Sequence, residues 1–163
     1  METLIILLLV ILDQFSKGLV ERHIGTGGSV PVIKGFFNLI CTYNKGAAWS
    51  FLAGKSWGIV VLSIISALVM GILMMFLRRV NDKRAKAVLI LIIAGSAGNL
   101  IDRVRMTAVT DFFSFTFGKY VFPAFNVADS LITIGAILLI LFTLFDRRFL
   151  DKVFPVKRRH RSK

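Results

Sequence analysis

Two stretches of the chain, residues 56–77 and 131–145, contain no charged side chain and few polar ones. At about 1.5 Å of rise per residue, a helix over the first alone crosses a hydrocarbon layer about 30 Å thick. A backbone in lipid must satisfy its own hydrogen bonds, so such segments dictate helices. A third apolar run, residues 85–101, ends in Gly95, Ser96, Gly98 and Asn99, residue types that permit close helix contact. The fourth, residues 3–20, is broken by Asp13, Gln14 and Lys17. It opens with Glu2 rather than a basic region, and no small-residue cleavage site follows it. A retained span therefore fits better than a removed signal peptide. At 56% hydrophobic over 163 residues, the chain is too apolar for a soluble domain of this size.

The formal charge of +12 is placed in blocks. Arg78, Arg79, Lys83, Arg84 and Lys86 crowd the short loop between the second and third spans. Arg147, Arg148, Lys152, Lys157, Arg158, Arg159, Arg161 and Lys163 fill the tail. Nucleic acid can attract such blocks, but cytoplasmic loops of membrane proteins collect Lys and Arg in this way and so fix orientation. The charge thus argues against a nucleic-acid partner. It places both termini and the 78–84 loop in the cytoplasm, and the loops 21–55 and 102–128 outside; the tail reads as an anchor to lipid headgroups.

Both outer loops hold β-prone runs punctuated by turn residues: residues 30–43 with Pro31 and Gly35, and residues 109–125 with Gly118 and Pro123. The expected fold is an all-α membrane protein of four transmembrane helices (about 3–20, 56–77, 85–101 and 129–146), with a small extracytoplasmic β-sheet from the first and third loops. No repeat or second domain is visible, and nothing demands more than a monomer. Cys41 excludes an internal disulfide, and His23 and His160 show no metal-ligand spacing, so neither metal nor cofactor is expected.

On this topology the polar residues converge on one face of the membrane. Asp13 and Lys17 end the first span, Asn99 and Arg103 end the third, Asp129 opens the fourth, and Asn44 and Asp111 lie in the outer loops. Ionisable groups at such positions mark a site unless they are paired or hydrated. Asp13 and Lys17 are spaced i,i+4, and an ordinary helix ion pair explains them as well as substrate contact does. Asn99, Asp102 and Arg103 equally fit a helix-end cluster at the interface. Asp129 alone fits an N-cap, and Asn126 is an alternative cap. Asp111 stands between Val109 and the pair Phe112–Phe113, an apolar surround that raises a carboxyl pKa. Two carboxylates from different segments facing one apolar pocket can share a proton and activate water for amide hydrolysis.

Other chemistries fit poorly. Ser96 in Gly95-Ser96-Ala97-Gly98 is one residue short of the Gly-x-Ser-x-Gly elbow and has no nearby His. Ser16 and Lys17 are adjacent and lie on different helix faces. A proton-coupled transporter places its carboxylates near the midplane of repeated halves, whereas these cluster at one face of a chain without repeats.

Five motifs occur in order: Asp13-Gln14-Phe15-Ser16-Lys17, Asn44-Lys45-Gly46-Ala47-Ala48-Trp49, Gly95 through Arg103, Val109-Thr110-Asp111-Phe112, and Phe125-Asn126-Val127-Ala128-Asp129. Along nearly its whole length the sequence resembles the lipoprotein signal peptidases, or signal peptidases II, of bacterial cytoplasmic membranes. The one departure is Ala94-Gly95, where many relatives carry Gly-Gly. The resemblance implies an aspartic endopeptidase with Asp111 and Asp129 as its catalytic dyad. The implied substrates are prolipoproteins, cut just before a diacylglyceryl-modified cysteine at the outer face of the membrane. It also implies that Asn44, Gly46, Asn99, Arg103 and Asn126 line or organise the site, that Asp13 and Lys17 shape it, and that the peptide antibiotic globomycin targets it. Trp49 and Trp57 fall near the outer interface, where Trp commonly anchors.

Overall fold

The computed structural model describes residues 1–46 and 57–155. Ala47, Ala48 and Trp49 of the second motif, and the basic tail from Lys157 to Lys163, lie outside the described residues.

Among the described residues, four helices are long and apolar enough to cross a membrane: α1 (Glu2–His23), α2 (Gly58–Leu77), α3 (Lys83–Met106) and α4 (Val127–Phe145). Strands β1 (Ser29–Ile33) and β2 (Phe37–Asn44) lie between α1 and α2 in the chain, and β3 (Val109–Phe117) and β4 (Tyr120–Val121) between α3 and α4. A short helix, α5 (Phe149–Val153), follows.

Two helix boundaries differ from expectation in ways that matter for the site. The third helix runs on to Met106, so Asp102 and Arg103 are helical residues and not part of an outer loop. Hydropathy marks only the apolar part of a helix, whereas Arg103 and Arg105 in the last turn suit its negative dipole end. The helix stops at Thr107, whose backbone turns left-handed (φ +54°) and returns its N–H to the Arg103 carbonyl at 3.0 Å. The fourth helix begins at Val127, two residues before Asp129, because Asn126 caps it.

Helix α3 packs against α1, α2 and α4. Val88, Leu89, Ile93 and Ala94 of α3 join Ile6 of α1 and Leu131 of α4 in the main apolar cluster. Lipid tails are as apolar as these side chains, so helix association in a bilayer relies on close fit rather than on escape from water. Glycines provide that fit here. A side chain on Gly95 would strike the Ala128 carbonyl and Ile132 of α4, and one on Gly98 would strike the Asp13 carboxylate of α1.

At one end of the bundle, polar groups tie the α2–α3 turn to the start of α1 and to the segment from Asp146 to Lys152. Asp82 caps α3 by accepting from the Arg84 and Ala85 amides at 2.8 and 3.1 Å. Lys86 pairs with Glu2 at 2.6 Å, and Asp146 receives Arg84 at 3.0 Å and Lys152 at 2.6 Å. Arg84 also lies over the Phe142 and Phe149 rings, which helps seat α5 with Phe149 and Val153 fully buried.

At the other end the strands form one antiparallel sheet in the order β1-β2-β3-β4. Glycines with left-handed backbones, Gly35 and Gly118, make the two hairpin turns. The β2–β3 register shifts between Leu39 (opposite Phe113) and Thr42 (opposite Asp111), leaving one extra residue on β2 beside Asp111. Such a bulge bends the strand and re-aims side chains.

Gly98→Ala should lower stability by about 1–3 kcal/mol through overpacking against Asp13. Gly71→Ala on α2, where a methyl meets nothing, should be neutral or gain up to about 1 kcal/mol of helix propensity. Thermal unfolding of the two variants in detergent makes the comparison.

Candidate active site

Residues four apart on a helix share a face, and on α1 that rule aligns Asp13 with Lys17. The Lys17 ammonium donates to Asp13 Oδ2 at 2.8 Å and to Asn99 Oδ1 at 3.1 Å, and it pairs with Asp102 Oδ2 at 2.8 Å. Three side chains thus surround the ammonium, two by hydrogen bond and the third as an ion pair. Lys17, Asp13 and Asp102 are 2, 0 and 1% exposed, so this is a buried ionic triad, not a surface pair. The remaining carboxylate lone pairs are also engaged. Asp13 Oδ1 accepts from the Ala128 amide at 2.8 Å, at the start of α4. Asp102 accepts from Gln14 Nε2 at 2.8 Å and from the Thr110 amide at 3.3 Å. One cluster therefore ties α1, α3, the N-terminus of α4 and β3 together.

Asn99 connects this triad to a second pair of carboxylates. Its carbonyl oxygen faces Lys17, and its amide donates to Asp129 Oδ1 at 2.7 Å. Asn126 is the N-cap of α4: its Oδ1 accepts from the Asp129 amide at 2.9 Å, and Asp129 Oδ2 accepts the Asn126 amide in return at 3.3 Å. This capping box engages one oxygen of Asp129 and leaves the other to Asn99. The Asn126 side chain also donates to Asp111 Oδ1 at 2.7 Å. Asn44 donates to Asp111 Oδ2 at 3.2 Å, and its own carbonyl oxygen is held by the Gly46 amide at 2.8 Å.

The two carboxylate pairs are treated in opposite ways. Asp13 and Asp102 share a lysine ammonium, whereas Asp111 and Asp129 receive hydrogen bonds only from neutral amides among the described residues. Burial pushes the Asp111 carboxyl up from its ordinary 3.8 to about 7, helped by the nearby Asp129 charge. The bonds from Asn44 and Asn126 and the more distant Lys17 charge pull weakly the other way. A buried carboxyl pair that shares one proton can offer an acid and a base together.

Of the residues expected here, Asp13, Lys17, Asn44, Gly46, Asn99, Asp111, Asn126 and Asp129 join in one hydrogen-bonded network. Among the described residues Arg103 hydrogen-bonds neither Asp111 nor Asp129, although its charge acts on Asp129, Asp102 and Asp111, and its buried Nε has no partner there. Asp102, Gln14 and Thr110 join the network as well, beyond the residues expected from sequence. A usable signal existed for Asp102: Gly95, Asn99 and Asp102 recur at helical spacing and so share one face of α3.

A family model described as signal peptidase (SPase) II matches residues 5–145. Proteins named lipoprotein signal peptidase from Geobacter sulfurreducens and Lactiplantibacillus plantarum are 42% identical over 131 residues and 40% identical over 141 residues. These alignments cover 79% and 86% of this chain, and 82% and 92% of the relatives. A solved structure of a bacterial membrane enzyme superposes with a TM-score of 0.81 at 34% identity, over 99% of this chain and 94% of that one.

Lys17→Met leaves two buried carboxylates without their cation and should cost about 3–5 kcal/mol of stability. Asp111 has the opposite sign. Its folded pKa lies above its unfolded one, so stability is fullest below about pH 3.8 and declines as pH rises toward about 7. Asp111→Asn removes that decline. The stability of the variant relative to the unsubstituted protein should therefore grow across this window, by at most about 1.4 kcal/mol per pH unit. Unfolding midpoints measured at several pH values read both effects.

Proposed function

The chain belongs to the signal peptidase II family, and from that premise we propose that it is an aspartic endopeptidase of the bacterial cytoplasmic membrane. It removes signal peptides from prolipoproteins by cutting before a diacylglyceryl-modified cysteine. The observation that carries this reading is the buried carboxylate pair, Asp111 and Asp129, held by Asn44, Asn99 and Asn126 and left without a cation of its own among the described residues.

The ionised member of the pair takes a proton from a water molecule as its oxygen adds to the scissile carbonyl. The protonated member hydrogen-bonds the carbonyl oxygen as charge develops there. When the C–N bond breaks, the departing cysteine amine takes up a proton from the pair, and the dyad returns to one shared proton. No covalent intermediate forms. Asn99 and Asn126 fix the carboxyl orientations, while the Arg103 guanidinium adds positive potential beside the dyad. Asp13 and Lys17 hold the frame.

The site lies outside, with both termini in the cytoplasm. Basic residues at the α2–α3 turn, together with the Glu2–Lys86 and Arg84–Asp146 pairs that bring the start of α1 and the end of α4 there, support that orientation. The sheet and the dyad then lie at the outer leaflet, where the acyl chains of a lipidated substrate remain in lipid while its peptide crosses the carboxylates. The enzyme works as a monomer on membrane-borne substrate and needs no metal.

Cleavage of a synthetic diacylglyceryl-cysteine precursor in detergent tests the proposal. Asp111→Asn and Asp129→Asn should each fold and lose activity by at least about 100-fold, the scale of a lost acid or base; full activity in either variant would sink it. The rate should also fall above about pH 7, where the shared proton is lost, and again in acid, where the base is protonated.

A further inference from the structure

The α1 face that carries Asp13 and Lys17 continues for one more turn to Glu21, which the chemistry above does not use. Glu21 Oε1 accepts a 2.6 Å hydrogen bond from the Thr110 hydroxyl, and Glu21 Oε2 lies 3.5 Å from Arg105 Nη2. The Thr110 contact is sheltered, with Thr110 fully buried and the Glu21 side chain 20% exposed, whereas Arg105 is largely exposed. A 2.6 Å bond from a hydroxyl to a carboxylate belongs to the strong, charge-assisted kind.

Thr110 directly precedes Asp111, and all three of its polar groups are occupied by different elements. Its amide donates to Asp102 Oδ2 of α3 at 3.3 Å, its carbonyl accepts from Asn126 Nδ2 at 3.3 Å, and its hydroxyl goes to α1. Alternate side chains of a strand point to opposite faces, so anchoring Thr110 toward α1 turns Asp111 the other way. The β2 bulge opposite this stretch leaves the local ladder irregular between Leu39 and Thr42, which makes side-chain anchoring of β3 matter more.

We propose that Glu21 is a positioning residue for the peptidase: through the Thr110 hydroxyl it locks the backbone beside Asp111 and so sets the aim of that carboxyl. This deepens the dyad reading and rests on it. When the bond is lost, β3 gains freedom at Thr110, Asp111 reaches solvent more often, and the geometry between the two carboxyls loosens. Substrate binding, which engages the rest of the outer face, is not affected.

The test is steady-state cleavage of the diacylglyceryl-cysteine precursor by the full chain in detergent, with folding followed by thermal unfolding. Thr110→Val keeps the shape of the side chain and removes the donor; Glu21→Ala removes the acceptor from the other side. Each should lower kcat about tenfold with KM within about twofold, the pattern of misplaced catalytic groups. Each should also move the alkaline limb of the pH profile to lower pH, because a better hydrated Asp111 gives up its proton sooner. A loss of folded protein alone reduces the rate without moving that limb. Thr110→Ser and Glu21→Gln, which retain the bond, should restore most of the rate, Arg105→Ala should change little, and the double variant should be no worse than Thr110→Val. Unshifted limbs with wild-type kcat in Thr110→Val overturn the proposal, as do losses that multiply in the double variant. If Thr110→Val does not fold, the limb in Glu21→Ala decides. Asp111→Asn keeps the two ideas apart: activity there defeats the dyad itself, whereas inactivity there beside a fully active Thr110→Val defeats only the role of Glu21.

Discussion

A lysine ammonium with almost no exposure to solvent must find acceptors inside the protein, and Lys17 finds them on its own helix and on α3. Asp13 shares its helix, while Asp102 and Asn99 come from α3. Removing charges from water costs several kcal/mol per ion, recovered only when the geometry is good and the remaining lone pairs are satisfied. The Ala128 amide, the Gln14 side chain and the Thr110 amide complete that satisfaction. The positions of α1, α3, the α4 N-terminus and the start of β3 are consequently interdependent. Gly98 belongs to the same constraint, since only a missing side chain leaves room for the Asp13 carboxylate against α3.

Tying the cation to Asp13 and Asp102 has a consequence for the other two carboxylates. Asp111 and Asp129 are oriented by asparagines, which fix direction without supplying charge. An ammonium placed against them would stabilise both as carboxylates and remove the acid. On the proposed mechanism, neutral donors leave a proton in the site near neutral pH, in keeping with the burial that pushes the Asp111 carboxyl up. Asn99 stands at the junction, taking Lys17 on its carbonyl side and Asp129 on its amide side. The Lys17 triad and the Asp111–Asp129 pair are thus in contact through one side chain that carries no charge.

Much of this arrangement could be read from the chain, for physical reasons that differ by residue. Spans show because lipid tolerates few polar side chains, whereas the i,i+4 spacing of Asp13 and Lys17 fits an ion pair and a substrate contact equally, and the fold supplies the pair. Asn126 and Asp129 were competing caps in the sequence; in the fold they cap reciprocally, so the capping role of Asp129 accompanies its contact with Asn99. Asp102 was harder, because a carboxylate at the polar end of a helix looks solvated until α1 is laid against it. The extension of α3 to Met106 escaped hydropathy, which follows side chains while the backbone hydrogen bonds continue. The extra residue on β2 and the contact between Glu21 and Thr110, 89 positions apart in sequence, depend on how sheet and helices meet and leave no local trace.

The central claim is that Asp111 and Asp129 together retain one proton in a buried setting where, among the described residues, no cation hydrogen-bonds either of them. Infrared titration of the protein in detergent measures this directly through the carbonyl stretch of a protonated carboxyl. The account predicts a protonated-acid band that persists well above the ordinary carboxyl range, disappears as pH rises through about 7, and is missing from Asp111→Asn. A band lost by about pH 4, or one that remains unchanged in both Asp111→Asn and Asp129→Asn, would contradict it.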